Sequence, residues 1–386
     1  MKKYFALSIA VIIFALLFAG CAQEIDIPAE QPPIAETPQE TVGDAAPTPP
    51  QQPEEPDTPQ IQQEETAPTE RIVIDQLGRE VIVPESVSSV AVSHGPMLNM
   101  VVALGGGDLI VGTGPKPSGR TIFDVVAPGV MDTPQIGQQV NVNLEELATI
   151  DPDIFVLSVR NRELLPDLDM LEIPGVAIDP ENFETVITSM RIVGYAIGNE
   201  DHVENVISLF EQRLAWTSER VAQATANPTA LVFGADTSSV AANNMIQADI
   251  LEIAGAVNLA ADIEGGFYVD VGIEQILLWN PEYILITAWG RLQPEDFFNE
   301  PRLEDVTAVR NGNVFMFPSD AEWWDMPTPL AVLGAVWASH ILHPDLVTSD
   351  DLDYAVEEFY YLLHGVQLGR EFFLYQENVT ETPDWR

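Results

Sequence analysis

Asn143-Leu144-Glu145-Glu146-Leu147 leads into Asp151-Pro152-Asp153-Ile154-Phe155-Val156-Leu157-Ser158, and the pattern returns 129 positions later. The second copy reads Gly272-Ile273-Glu274-Gln275-Ile276, then Asn280-Pro281-Glu282-Tyr283-Ile284-Leu285-Ile286-Thr287. Each copy is a short helix, a turn built from proline and an acid, and an apolar run without alternation. Such a run fits a strand covered by helices on both faces. In the first copy Asn143 and Glu146 are placed to form a capping box. Two copies of one unit predict two lobes of like construction.

Similar short apolar runs occur at 89–93, 109–113 and 176–178, and again at 230–233 and 314–317. Helical stretches separate them, so the fold class is α/β. Residues 71–74 and 80–83 flank Asp75-Gln76-Leu77-Gly78-Arg79 and predict a hairpin that opens the folded part. Between the two sets of strands, Val203, Ile207, Phe210, Leu214 and Val221 form an apolar stripe at helical spacing. Asn199 is placed to cap this helix, and Glu200 and Asp201 suit its positive end. The helix is expected over 199–227, roughly 40 Å long, as a stiff connection between the lobes.

The chain begins Met1-Lys2-Lys3 and continues with about 16 apolar residues to Ala19, too short a run for a spanning helix. Leu17-Phe18-Ala19-Gly20 then precedes Cys21, the only cysteine in the sequence. This ending resembles a bacterial lipobox, with Phe18 where Leu is usual. Residues 1–20 are therefore expected to be a lipoprotein signal peptide and Cys21 its lipidation site. A lone cysteine excludes an intramolecular disulfide. Residues 21–70, rich in Pro, Gln, Glu and Thr, are expected to be a disordered acidic tether. An N-terminal lobe at 71–198, the bridging helix at 199–227, a C-terminal lobe at 228–366 and a tail at 367–386 complete the organisation. About 300 residues is too much for one ordinary core. The net charge of −44 argues against nucleic acid and anionic lipid as electrostatic partners. The expected molecule is a monomer outside the cytoplasm, lipid-anchored to the outer face of the cell membrane.

In open α/β sheets, ligands bind beyond the carboxyl ends of the strands. The residues found there are His94 and Met97, then Lys116 and Arg120, then Arg160. The second half supplies Asn244, Trp289, Arg291 and the run Trp323-Trp324-Asp325. Aromatic faces, cations and amides in one place suit a bulky ligand with flat apolar surface and polar edges. The cations suit carboxylates or other anionic oxygens. His94 has two readings: ligand to a metal held inside a bound cofactor, or helix cap and local hydrogen-bonding partner. There is no Gly-x-Ser-x-Gly elbow, no phosphate loop and no metal-site spacing of His, Cys and acids. No catalytic residue, intrinsic cofactor or protein-held metal follows from the sequence.

Several segments carry a family resemblance by their order and spacing. They are Asp75-Gln76-Leu77-Gly78-Arg79-Glu80-Val81-Ile82-Val83-Pro84, the two repeat copies, and Ile253-Ala254-Gly255-Ala256-Val257-Asn258-Leu259-Ala260. Trp324-Asp325-Met326-Pro327-Thr328-Pro329 and His343-Pro344-Asp345 close the set. Together they resemble the substrate-binding lipoproteins of ABC importers for iron complexes, haem and cobalamin, the helical-backbone class of periplasmic binding proteins. The likeness covers about 71–366. It implies two Rossmann-like lobes bridged by one long rigid helix, with the ligand cleft between them. It implies capture of a metal chelate, a ferric siderophore first and otherwise haem or a corrinoid, for delivery to a permease and its ATPase. It also implies that a glutamate on each lobe docks on the permease: Glu163 matches the first, and Glu300, or else Glu295, the second. Gly255-Ala256 stands where the family often carries Gly-Gly. Two further classes stay open: a cell-surface enzyme that modifies or strips the chelate, and a surface sensor whose cleft the Trp323-Trp324 segment blocks.

Overall fold

The computed structural model describes residues 70–116, 122–138, 141–318 and 322–368. The signal peptide, Cys21, the tether, Arg120 and most of the C-terminal tail lie outside them. Glu70–Ile74 and Glu80–Pro84 pair as the expected antiparallel hairpin. At its turn Asp75 Oδ1 accepts from the Leu77 and Arg79 N–H groups, and Oδ2 accepts from the Arg79 guanidinium.

The first sheet has four parallel strands in the order Ile110–Thr113, Val90–Val92, Ile154–Ser158, Gly175–Ile178. All of Ile154–Ser158 is buried, as its unbroken apolar run requires. In the second sheet Thr229–Phe233 is flanked by parallel Tyr283–Ile286, and Val314–Met316 follows at the edge. On its other side run the antiparallel strands Ser239–Ala241 and Tyr268–Asp270, while Val257–Asn258 pairs with its first residues.

The two repeat copies fold alike. Helix Leu144–Ile150 ends at Asp151 with φ 50°, and helix Ile273–Trp279 ends at Asn280 with φ 47°. The acid after each proline then fastens the start of a neighbouring strand. Asp153 Oδ2 accepts from the Ser88 and Ser89 N–H groups, and the Asp153 N–H donates to Ser89 Oγ. Glu282 Oε2 accepts from the Thr229 N–H, and the Glu282 N–H donates to Thr229 Oγ1. Asn143 caps the first copy, its Oδ1 accepting from the Glu145 and Glu146 N–H groups. The return half of the expected capping box is missing, because the Asn143 N–H already donates to the Ile136 carbonyl.

The bridging helix spans Glu200–Val221, 22 residues or about 33 Å, and is shorter than the expected 199–227. None of residues 222–227 is buried, so packing does not extend the helix further. Asn199 does not cap it through its side chain; the amide donates instead to the Leu104 carbonyl at 2.7 Å. The stripe itself is as expected: Val203, Ile207, Phe210 and Val221 are buried, and Leu214 packs beside them. The helix lies against Phe183–Ile197 from the first half and the wholly buried Ala331–Leu342 from the second. Helix Ser349–His364 packs back on Val102–Gly106, and its Glu358 pairs with Arg213 of the bridging helix. One apolar core therefore runs through both lobes, which opposes a wide hinge. No helix among the described residues is long and apolar enough to cross a membrane.

Candidate functional site

A cavity of about 750 Å³ opens at the carboxyl ends of the strands, lined from both halves of the fold. The first sheet contributes His94, Met97, Lys116 and Arg160 from the sequence-derived set, joined by Glu181. The second contributes Trp289 and Trp323, joined by Met245, Gln247, Phe267, Tyr268 and Met326. Of the Trp323-Trp324 segment, only Trp323 borders the cavity, and it does not fill it.

His94 sits in extended conformation just before helix Gly95–Val101, and its side chain makes no capping bond. Its Nδ1 lies 2.8 Å from Ser93 Oγ. Among the described residues Nε2 has no partner. Burial, aided by the Arg160 charge, pushes the imidazole down to about 4, so the ring is neutral near pH 7. A neutral imidazole with one nitrogen fixed and the other open is the form that ligates metal. Of the second reading of His94, the side-chain helix cap is absent and the local hydrogen bond, to Ser93, is present.

The cations are already engaged. Arg160 Nη2 donates to Glu181 Oε1 at 2.6 Å, and its Cζ lies 3.5 Å from the centroid of the Phe267 ring. Burial pushes the Glu181 carboxyl up, and the Arg160 charge works against that rise. Lys116 Nζ donates to the carbonyls of Val130, Met131 and Thr133, so its three donors are spent on the backbone. Among the described residues no three of His, Cys, Asp and Glu gather to hold a metal ion.

Four sequence-derived residues lie elsewhere. Trp324 is fully buried, donating from Nε1 to the Tyr360 hydroxyl at 3.3 Å, and belongs to the core. It fits there because Gly334 has no side chain: a Cβ at that position would lie 2.2 Å from the Trp324 carbonyl oxygen. Asp325 is also fully buried, and its Oδ2 accepts from the Ala288 N–H at 3.2 Å. Burial pushes its carboxyl up to about 7. Asn244 and Arg291 are exposed and do not line the cavity. Trp324-Asp325 turn inward because the apolar helix that follows draws the segment into the core, an effect that residue type alone does not convey.

Glu181 follows strand Gly175–Ile178 and is found by applying the strand-end rule to that strand too. Phe267-Tyr268 follow Gly265-Gly266, a turn signal ahead of a strand. Tyr268 packs against Trp289 with ring centroids 5.6 Å apart, and on the bare backbone of Gly234, where a Cβ would meet its ring at 2.5 Å. Met245 lies in the segment that follows the strand ending at Phe233, whereas Gln247 carries no local signal. Of the proposed docking residues, Glu163 is exposed, while Glu300 is held by Arg302 through two bonds of 2.8 Å.

This two-lobed frame with its ligand cavity is that of a solute-binding protein. Residues 90–321 match the periplasmic binding protein family, and the chain belongs to it. It is 28% identical over 331 residues to the molybdate-binding protein MolA of Haemophilus influenzae, covering 76% of this chain and 91% of that protein. It is 25% identical over 181 residues to the vitamin B12-binding protein of Photorhabdus laumondii, covering 46% of this chain and 65% of that protein. Among solved structures, a periplasmic solute-binding protein from Veillonella parvula shares the fold with a TM-score of 0.70 at 24% identity, covering 78% of this chain and 95% of that one.

Proposed function

We propose that this chain is an extracytoplasmic binding protein, lipid-anchored through Cys21, that captures a metal chelate and delivers it to the permease of an ABC importer. The observation that carries this reading is the open nitrogen of neutral His94 in a cavity of about 750 Å³ walled by aromatic rings and thioethers. That volume suits a bulky ligand. Arg160 and Lys116 are already paired, so a neutral or weakly charged ring chelate, haem or a corrinoid, fits better than a highly anionic ferric siderophore. Binding without turnover is the expected activity. Exposed Glu163 serves as one permease contact, and Glu295, exposed on helix Pro294–Phe298, suits the second better than Glu300 does.

A second reading is an oxyanion cargo, favoured by the similarity to the molybdate-binding protein. It requires Arg160 to exchange Glu181 for the anion. A thermal-shift series on the full chain with haem, cobalamin, a ferric siderophore and molybdate, followed by calorimetry, separates the two. Stabilisation by a ring chelate, weakened in His94→Ala, is the expected result. Stabilisation by molybdate alone, abolished in Arg160→Ala, overturns it in favour of the oxyanion. Chemical change of the chelate on incubation would instead reveal an enzyme.

A further inference from the structure

At the first-lobe wall of the cavity, one cation is matched by carboxyls of the chain itself. Arg160 Nη2 donates to Glu181 Oε1 at 2.6 Å, and both side chains line the cavity. The carboxyl of Asp179, at the end of the same strand as Glu181, also feels the Arg160 charge. The guanidinium is fixed at its edge by Glu181 and stacked by its face on Phe267 of the second lobe. Glu181 is firmly placed in turn. Its N–H donates to Thr185 Oγ1 at 2.9 Å, the oxygen that also accepts from Asn182 at the start of helix Phe183–Ile197.

Lys116 and Arg160 bring two positive charges to this wall, and Asp179 and Glu181 bring two negative ones. His94 is neutral, so the sum is zero. Without the Glu181 charge one positive charge remains, on a guanidinium with several donors to offer. The carboxylate is held there at a cost, because burial pushes the Glu181 carboxyl up and the Arg160 charge opposes the rise. The other ionisable groups around it are His94, Lys116, Asp179, Tyr268 on the opposite wall, and Asp249, which accepts from the Phe183 N–H at 2.8 Å. An ionisable group kept in a ligand cavity against burial is a candidate for control of what binds.

We propose that Glu181 determines the charge selectivity of the cavity: its carboxylate occupies Arg160 as a built-in anion and bars free oxyanions, and once it is protonated or removed Arg160 becomes an oxyanion site. This rests on the reading of the cavity as the cargo site and adds the residue that controls its charge. An oxyanion then enters together with one proton, which goes from solvent to the displaced Glu181 carboxylate.

The test is calorimetry on the full chain with sulfate as the probe. Sulfate keeps both charges between about pH 7.5 and about pH 5.5, a range in which His94 stays neutral. At about pH 7.5, Glu181→Gln should bind sulfate at least about tenfold more tightly than wild type. Adding Arg160→Ala should abolish that gain. Glu184→Gln, which removes an exposed charge on the following helix, should stay within about twofold of wild type. Wild-type affinity should rise as pH falls, by up to about tenfold per pH unit, and affinity in Glu181→Gln should stay level. Sulfate binding no tighter in Glu181→Gln than in wild type, including no binding by either, overturns the proposal. So does a gain that survives Arg160→Ala, or a wild-type affinity that does not change with pH. A pH response that survives Glu181→Gln puts the proton on Asp179 and overturns the assignment too. Haem and cobalamin in the same series keep the two readings apart. Binding of either one retains chelate capture whatever sulfate does. Failure of both, with the Glu181→Gln gain present, removes chelate capture and leaves the role of Glu181 standing.

Discussion

Arg160, just beyond the end of one sheet, reaches Phe267 beside the other: its Cζ lies 3.5 Å from the ring centroid while Nη2 holds Glu181. This contact joins the two walls of the cavity. A double-mutant cycle of Arg160→Ala and Phe267→Ala should give a coupling of about 1 kcal/mol in urea unfolding. Additive single-variant effects would mean that the stacking contributes nothing.

The neighbours Trp323 and Trp324 should behave differently. Trp324→Ala empties a fully buried site and should lower stability by about 3–5 kcal/mol. Trp323→Ala, at the cavity wall, should cost less than about 1 kcal/mol and weaken cargo binding instead. Equal destabilisation by the two variants would contradict the structure.

His94 and Asp325 make opposite contributions to the pH dependence of stability. The His94 pKa is depressed to about 4, so as pH falls below about 6.5 the unfolded chain takes up a proton that the folded chain refuses. Its contribution is lost between about pH 6.5 and 4, by about 3 kcal/mol at most. The Asp325 pKa is raised to about 7, so the folded chain holds a proton that the unfolded chain releases above about pH 4. Stability from this group is therefore lost as pH rises from about 4 to 7. Asp325→Asn should gain about 2–4 kcal/mol relative to wild type between pH 4 and pH 8. Urea midpoints at both pH values check this, and a gap independent of pH would refute it.

Gly234 gives the Tyr268 ring its seat. Gly234→Ala places a Cβ 2.5 Å from that ring and should cost about 1–3 kcal/mol and weaken binding. Gly129→Ala, where a Cβ meets nothing within 4 Å, is the control and should stay within about 0.5 kcal/mol. Similar losses in both would remove the close approach as the cause.

Docking can be read from uptake. Glu163→Gln should reduce transport in cells carrying the importer and leave cargo affinity unchanged. Glu300→Gln should mainly free Arg302 and leave transport near wild type. The reverse order would exchange their roles.

Sequence alone determined the α/β class, the repeat and the helical stripe, because each is a local pattern. Proline after Asp151 and Asn280, the acids Asp153 and Glu282, and the spacing of Val203, Ile207 and Phe210 state their structures within a few residues. The strand-end rule also placed His94, Met97, Arg160, Trp289 and Trp323 at the cavity, since the carboxyl end of a parallel strand is known once the strand is. Tertiary structure decided the rest. Trp324 and Asp325 are adjacent to a cavity residue, yet the close approach to Gly334 and the bond to Tyr360 take Trp324 inside, and the Ala288 N–H holds Asp325 there. Arg160 and Lys116 read as anion binders until Glu181 and three carbonyls, all remote in sequence, claim their charges. Whether a polar group is free for a ligand depends on which other groups the fold brings within about 3 Å, and that is a property of the folded chain.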